Sequence, residues 1–180
     1  MCAAAGAADE TVVFLLSKGA NPDLMNNRGH TALLAAIQTS CSSTIDLLAP
    51  VTQTGLEKAL GYLANYNTGL TPAIKELLVR ASSDEAALRW GVEYGAQMGA
   101  TSMLKILTNG WNRNTLHPSY ANNLLQIALK SDHAETVQVV LAFVRDVSSE
   151  NLALALTRGR ADVVNLFGLG EEEEAQKLQR

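Results

Sequence analysis

Gly19–Ala20–Asn21–Pro22–Asp23, followed by Asn26–Asn27–Arg28–Gly29–His30–Thr31–Ala32–Leu33–Leu34–Ala35–Ala36, is the stretch on which the fold turns. Gly29 permits a turn at positive φ, and Thr31 can cap the helix that opens behind it. On the near side, Glu10–Thr11–Val12–Val13–Phe14–Leu15–Leu16 runs up to Gly19, which sits where a C-cap glycine belongs. On the far side, Ile45–Asp46–Leu47–Leu48 ends before Pro50, which forbids continuation past Ala49. Two short helices flank the turn region, and neither is long enough to stand alone.

The same grammar returns along the chain. After a small or polar residue (Ala7, Ser40, a site near Leu70, Gly99, Asp132, Gly159) comes a short segment rich in Val, Ile and Leu. Taking Leu15, Leu48, Leu78, Leu107, Val140 and Phe167 as equivalent gives steps of 33, 30, 29, 33 and 27 residues. Before each copy lies a second stretch rich in Ala and Leu: Met1–Ala5, Thr31–Ile37, Leu56–Tyr66, Ala86–Ala96, Asn123–Leu129 and Asn151–Leu156. Each unit is therefore a helix pair that cannot bury its apolar face without neighbours. Asp132 with Glu135, and Ser82 with Glu85, have capping-box spacing, and Thr71 precedes Pro72 at a favoured first helical position. Gly110 is a further C-cap candidate, and Gly6, Gly91, Gly95 and Gly99 read as packing or turn residues.

The junction residues resemble the ankyrin repeat, whose pattern runs G-A-x-x-N/D, a hairpin turn, then G-x-T-P-L-H-x-A. Gly29 and Thr31 match; Ala32 stands for the proline and Leu34 for the histidine. Asp132–His133–Ala134–Glu135–Thr136–Val137 and Gly159–Arg160–Ala161–Asp162–Val163–Val164 are similar to the family's G-H-x-E-x-V segment. The resemblance implies an all-α, ankyrin-like solenoid of about six stacked helix pairs, at about 1–23, 24–54, 55–82, 83–115, 116–147 and 148–168. Residues 169–180, with Glu171–Glu174 ahead of Lys177 and Arg180, follow as a polar capping helix or tail. No T-P-L-H occurs, and the short steps between Leu48 and Leu107 and before Phe167 predict tight turns in place of projecting hairpins. An armadillo- or TPR-like stack is the alternative, because helical repeat periods overlap. Met1 falls inside the first helix of a pair, so either a longer parent chain or a partner covering that end is expected.

Composition narrows the function. Fourteen Lys and Arg against eighteen Asp and Glu leave a net charge of −4, with no basic cluster for a nucleic-acid surface. Apolar residues at 47% and charged ones at 18% exclude wholesale disorder. Aromatics are only 5%, so the core is expected from Ala, Leu, Val and Ile. No apolar run approaches the ~18 residues a membrane span needs, and Asp9 and Glu10 break any signal peptide. Cys2 and Cys41 read as two free thiols in a reducing, cytoplasmic setting.

Chemistry is hard to find. Of three histidines, His133 reads as a helix cap, His117 beside Pro118 as a loop residue, and His30 as an exposed contact. No metal spacing, phosphate loop or nucleophile motif occurs, so no enzyme, no metal and no cofactor are expected. The resemblance instead implies a non-catalytic module that binds a protein partner through a concave groove and hairpin tips. Carried over by register, the contact residues are Asn27, Arg28, His30, Gln38, Thr39, Gln97, Met98, Asn122, Lys130, Ser131 and Arg158. Trp111 and Tyr120, in the long connection Gly110–Ala121, join them as the residue types enriched at hot spots. Trp90, Tyr62, Tyr66 and Tyr94 read mostly as helix packing, with Tyr94 the one able to reach the groove. The competing function is structural: a segment of a larger multidomain protein that mediates intramolecular packing or regulation.

Overall fold

The computed structural model describes residues 1–66, 71–158 and 161–168, and all regular structure among them is α-helical. The expected pair junctions near Leu70 and Gly159, the tail 169–180 and the side chain of Tyr66 lie outside the described residues. The chain divides into two compact units, Met1–Asn109 and Gly110–Arg180.

The first unit holds α1 (Cys2–Ala5), α2 (Asp9–Ser17), α3 (Ala32–Gln38), α4 (Ser42–Leu48), α5 (Leu56–Tyr66), α6 (Pro72–Ala81), α7 (Glu85–Met98) and α8 (Thr101–Leu107). Each odd helix packs on the even helix that follows it. Each also packs on the next of its own kind, giving the runs α1–α3–α5–α7 and α2–α4–α6–α8. Leu33, Leu34, Ile37, Leu60, Ile74, Leu78 and Leu104, all at most 1% exposed, fill the space between the layers. Full burial of each is worth about 1.5–3 kcal/mol against leaving it in water. The second unit holds α9 (Pro118–Ser131), α10 (Ala134–Leu141), α11 (Ser149–Arg158) and α12 (Ala161–Leu166). Its packing is the same, α9 on α11 and α10 on α12, around Leu124, Leu125, Val137, Val140 and Ala155.

One local device recurs at every described turn from an odd helix to an even one. A residue at positive φ stops the first helix: Ala7 at 52°, Ser40 at 54°, Gly99 at 71° and Asp132 at 66°. The next residue (Ala8, Cys41, Ala100, His133) is the N-cap of the following helix. In three of the four its amide donates back across the turn, Ala8 to Ala3 O, Cys41 to Ala36 O and Ala100 to Gly95 O, at 2.9–3.1 Å. This is the left-handed helix stop that satisfies orphan carbonyls. Only one of the four residues is glycine, so three pay steric strain for it.

Between successive pairs, side chains tie main chain to main chain at nearly constant sequence distance. Asp23 Oδ1 accepts from the Gln53 and Thr54 amides, 30 and 31 residues on, at 2.7 and 2.9 Å. Lys58 Nζ donates to Arg28 O, 30 residues back, and Arg80 Nη1 to Pro50 O, also 30 back. In the second unit Asn151 bonds Asn122 and Arg158 bonds Lys130 O, 29 and 28 residues back.

Three capping assignments from sequence are corrected. Ser82 ends α6 and donates to Val79 O, while Asp84 caps α7 by accepting from the Ala86 and Ala87 amides. Asp132 is the left-handed C-cap of α9, and His133 is the N-cap of α10 without a side-chain capping bond. His117 is no loop residue but the N-cap of α9, accepting from the Ser119 amide. Thr31 and Thr71 cap as expected, accepting from Leu34 and Ile74 amides. The turn between α6 and α7 is tight, and longer links, residues 49–55 and 142–148, lead into α5 and α11.

Candidate functional site

Helices α5 and α7 carry their core residues on one side and a row of polar and aromatic residues at the surface on the other. On α5, Leu60, Leu63 and Ala64 are buried, whereas Lys58, Tyr62 and Asn65, spaced i, i+4, i+7, stay at the surface. On α7, Val92 and Ala96 are buried, and Trp90, Tyr94 and Gln97 repeat that spacing at the surface. Contacts join the two helices into one face. The Asn65 amide donates to the Tyr94 hydroxyl at 2.9 Å, and the Trp90 and Tyr94 rings stack 4.8 Å apart at 7°. At the α3 end, His30 meets the Tyr62 ring edge-on, with centroids 6.3 Å apart.

Close approach of α5 and α7 depends on two glycines. A Cβ on Gly61 would lie 2.3 Å from the Trp90 ring, and one on Gly91 would lie 2.7 Å from Leu60 Cδ1. The Trp90–Tyr94 stack can thus lie across α5 without separating the helices.

Beside His30 the face deepens into a cleft of about 560 Å³ between α1, the 26–30 turn and α3. Asn27, Arg28, His30 and Gln38, four of the residues expected from sequence, line it together with Cys2 and Ala5 of α1. Asn26 holds the turn by accepting from the Arg28 and His30 amides, at 2.9 and 3.0 Å. Lys58 closes it from α5 by donating to Arg28 O and Gly29 O, at 3.1 and 3.2 Å. Thr39 is placed differently: its hydroxyl donates to Ala35 O and Ala36 O, finishing α3. Gln97 and Met98 are exposed at the end of α7.

In the second unit several expected contact residues are occupied in holding it together. Asn122 Nδ2 donates to Pro118 O and Asp146 O, and its Oδ1 accepts from the Ser148 amide and from Asn151. Ser131 Oγ donates to Ala128 O, and Arg158 Nη1 donates to Lys130 O at 3.2 Å. Lys130 is exposed, with Nζ 3.3 Å from Gln126 Oε1. Tyr120 is not in a connection: α9 begins at Pro118, so Tyr120 lies in its first turn, half-buried with the hydroxyl out of solvent. Trp111 does lie in the connection, half-buried edge-on against Phe143 at 5.7 Å.

Lys58, Tyr62 and Asn65 were missed as surface residues, whereas Trp90, read as packing, does pack over Gly61 of the preceding pair and is also 37% exposed. Their signal was present, since both triplets follow i, i+4, i+7, but an aromatic at helical spacing reads as core unless the buried side is known.

Electrostatic perturbation marks the joints between helix pairs. Burial opposes the charge on Asp23, yet the Gln53 and Thr54 amides, the Thr54 hydroxyl and the charge of Arg80 outweigh it and hold its carboxyl below the usual range. Hydrogen bonds from Ser43 and Thr44 likewise lower Asp9. Among the described residues no three His, Cys, Asp or Glu side chains come together as a metal site. No helix among them is long and apolar enough to cross a membrane. No protein-family model matches this chain, and no curated protein matches it.

Proposed function

We propose that the chain is an ankyrin-like helical solenoid acting as a non-catalytic protein-binding module, with the odd-helix face as its groove. Its fold assignment is supported by the recurring left-handed turns and by cross-ties 28–31 residues apart. The observation that carries the binding reading is the run His30–Tyr62–Asn65–Tyr94–Trp90, aromatic but for Asn65 and lying at the surface in a chain with few aromatics. Such rings supply large contact area at small entropic cost, and a face held by glycine-tight packing is already ordered before a partner arrives.

Affinity capture from soluble extract tests this. A chain carrying Tyr62→Ala and Tyr94→Ala should lose the partner that the parent retains. A chain carrying Lys75→Glu and Glu76→Lys, on exposed positions of α6, should keep it. Equal retention by both, with melting unchanged, sinks the assignment of the face.

One observation favours the structural alternative, a segment that packs within a larger protein. Val13, Phe14 and Leu15 on α2 are 49%, 58% and 41% exposed, an apolar surface over which the Lys18 ammonium lies 5.6 Å from the centre of the Phe14 ring. Concentration-dependent self-association abolished by Phe14→Glu, with nothing captured by the odd-helix face, would favour that reading.

A further inference from the structure

The cleft beside His30 is electrostatically one-sided. Arg28 is the only Lys, Arg, Asp or Glu among the residues that line it, in a chain whose net charge is −4. The Arg28 guanidinium is exposed and makes no ion pair among the described residues. Its main chain is nonetheless fixed at both ends, by Asn26 Oδ1 at the amide and by Lys58 Nζ at the carbonyl. That lysine brings a second positive charge to the same turn. A guanidinium on a fixed main chain, with its five donors uncommitted, matches a carboxylate in two-point geometry.

We infer that this cleft receives an extended acidic segment of the protein partner, a carboxylate docking on Arg28 and a neighbouring apolar side chain resting on the His30–Tyr62 pair. The inference rests on the reading of the odd-helix face as a binding groove and names the chemistry that face selects. Small residues, Ala5 and Ala35, form part of the wall, so a backbone can approach closely. The side-chain amides of Asn27 and Gln38 carry no hydrogen bond among the described residues and offer both donors and acceptors to a peptide main chain. Much of the lining is exposed, so the site suits a segment that enters and leaves better than a small molecule needing enclosure. The cleft thus offers Arg28, with Lys58 behind it, and no carboxylate side chain to oppose an acidic segment, and such charge complementarity favours register as well as affinity.

The test is selection of a random dodecapeptide phage library on the full chain at low ionic strength, with one enriched peptide then synthesised and titrated. Enriched sequences should carry an excess of Asp or Glu next to an aromatic or aliphatic residue. Arg28→Glu should weaken the synthetic peptide at least about tenfold, as expected for reversal of one paired charge. Arg28→Ala should weaken it less, with melting unchanged in both. Neutral or basic consensus sequences, or acidic ones indifferent to Arg28→Glu, overturn the inference. If those peptides are lost on Tyr62→Ala with Tyr94→Ala, the wider binding reading stands without it. Absence of any enrichment overturns the inference, while the capture experiment with the face variants decides the wider reading independently.

Discussion

The Trp90 ring lies against the backbone of Gly61, so that a methyl group at position 61 would sit 2.3 Å from Trp90 Cη2 and 2.8 Å from Cζ3. The absence of a side chain on α5 therefore positions the aromatic stack of α7.

Two effects oppose each other at this site. Alanine in a helix is better than glycine by about 1 kcal/mol. Overpacking typically costs about 1–3 kcal/mol. Gly61→Ala is expected to lower stability by about 1 kcal/mol and to shift Trp90 fluorescence. In a Trp90→Ala background the same substitution should raise stability by about 1 kcal/mol, as propensity alone dictates. Urea unfolding of the four chains in this cycle measures the difference.

The left-handed turns give a second prediction. A non-glycine residue at positive φ costs roughly 1–2 kcal/mol, of which glycine's extra unfolded freedom returns about 0.5–1. Ser40→Gly and Ala7→Gly, at φ 54° and 52°, should each stabilise by about 0.5–1 kcal/mol. Gly99→Ala, at φ 71°, should destabilise by a similar amount. Thermal melts that rank the three substitutions in any other order would place the stopping force elsewhere in the turn.

Asn151 is 2% exposed and donates to Asn122 O at 2.9 Å and Oδ1 at 3.1 Å, tying α11 to α9. Asn151→Ala removes two bonds worth about 1 kcal/mol each and should cost about 2 kcal/mol. Asn122→Ala should cost more, about 3 kcal/mol, because it also strands the Ser148 amide and the Asp146 carbonyl. Any loss of partner binding by Asn122→Ala should then track its lost stability, and chemical denaturation alongside binding separates the two.

Asp23 supplies the pH dependence. Its carboxyl titrates lower in the folded chain than in the unfolded one, so the unfolded state binds the proton more readily. The stability it contributes is complete above the unfolded carboxylate range, near pH 4, and is lost as pH falls through the lower folded value. Asp23→Asn should therefore be less stable than the parent at pH 7, and the gap should narrow on acidification. Denaturation midpoints between neutral pH and pH 3 read this directly; a constant gap would deny the ionised carboxylate its role at Gln53 and Thr54.

The helix pairs, the turn residues Ala7, Ser40, Gly99 and Asp132, the cap at Thr31 and the start of α5 at Leu56 were all legible in the sequence. Each depends on neighbours only a few positions away, where propensity and capping chemistry act. The four-residue group around Arg28 was legible for the same reason, since one turn and one helix contain most of it. Other features were decided by distant residues. Asn122 looks like a surface polar residue until Asn151 and Ser148 arrive from the next pair and occupy it. Tyr120 became helical because His117 and Pro118 begin α9 earlier than the apolar pattern suggested. Lys58, Tyr62, Asn65 and Trp90 joined the candidate face only once packing fixed which side of α5 and α7 is buried. Helical spacing gives a stripe its width but not its direction; whether that stripe meets solvent or core is settled by what the neighbouring helix covers.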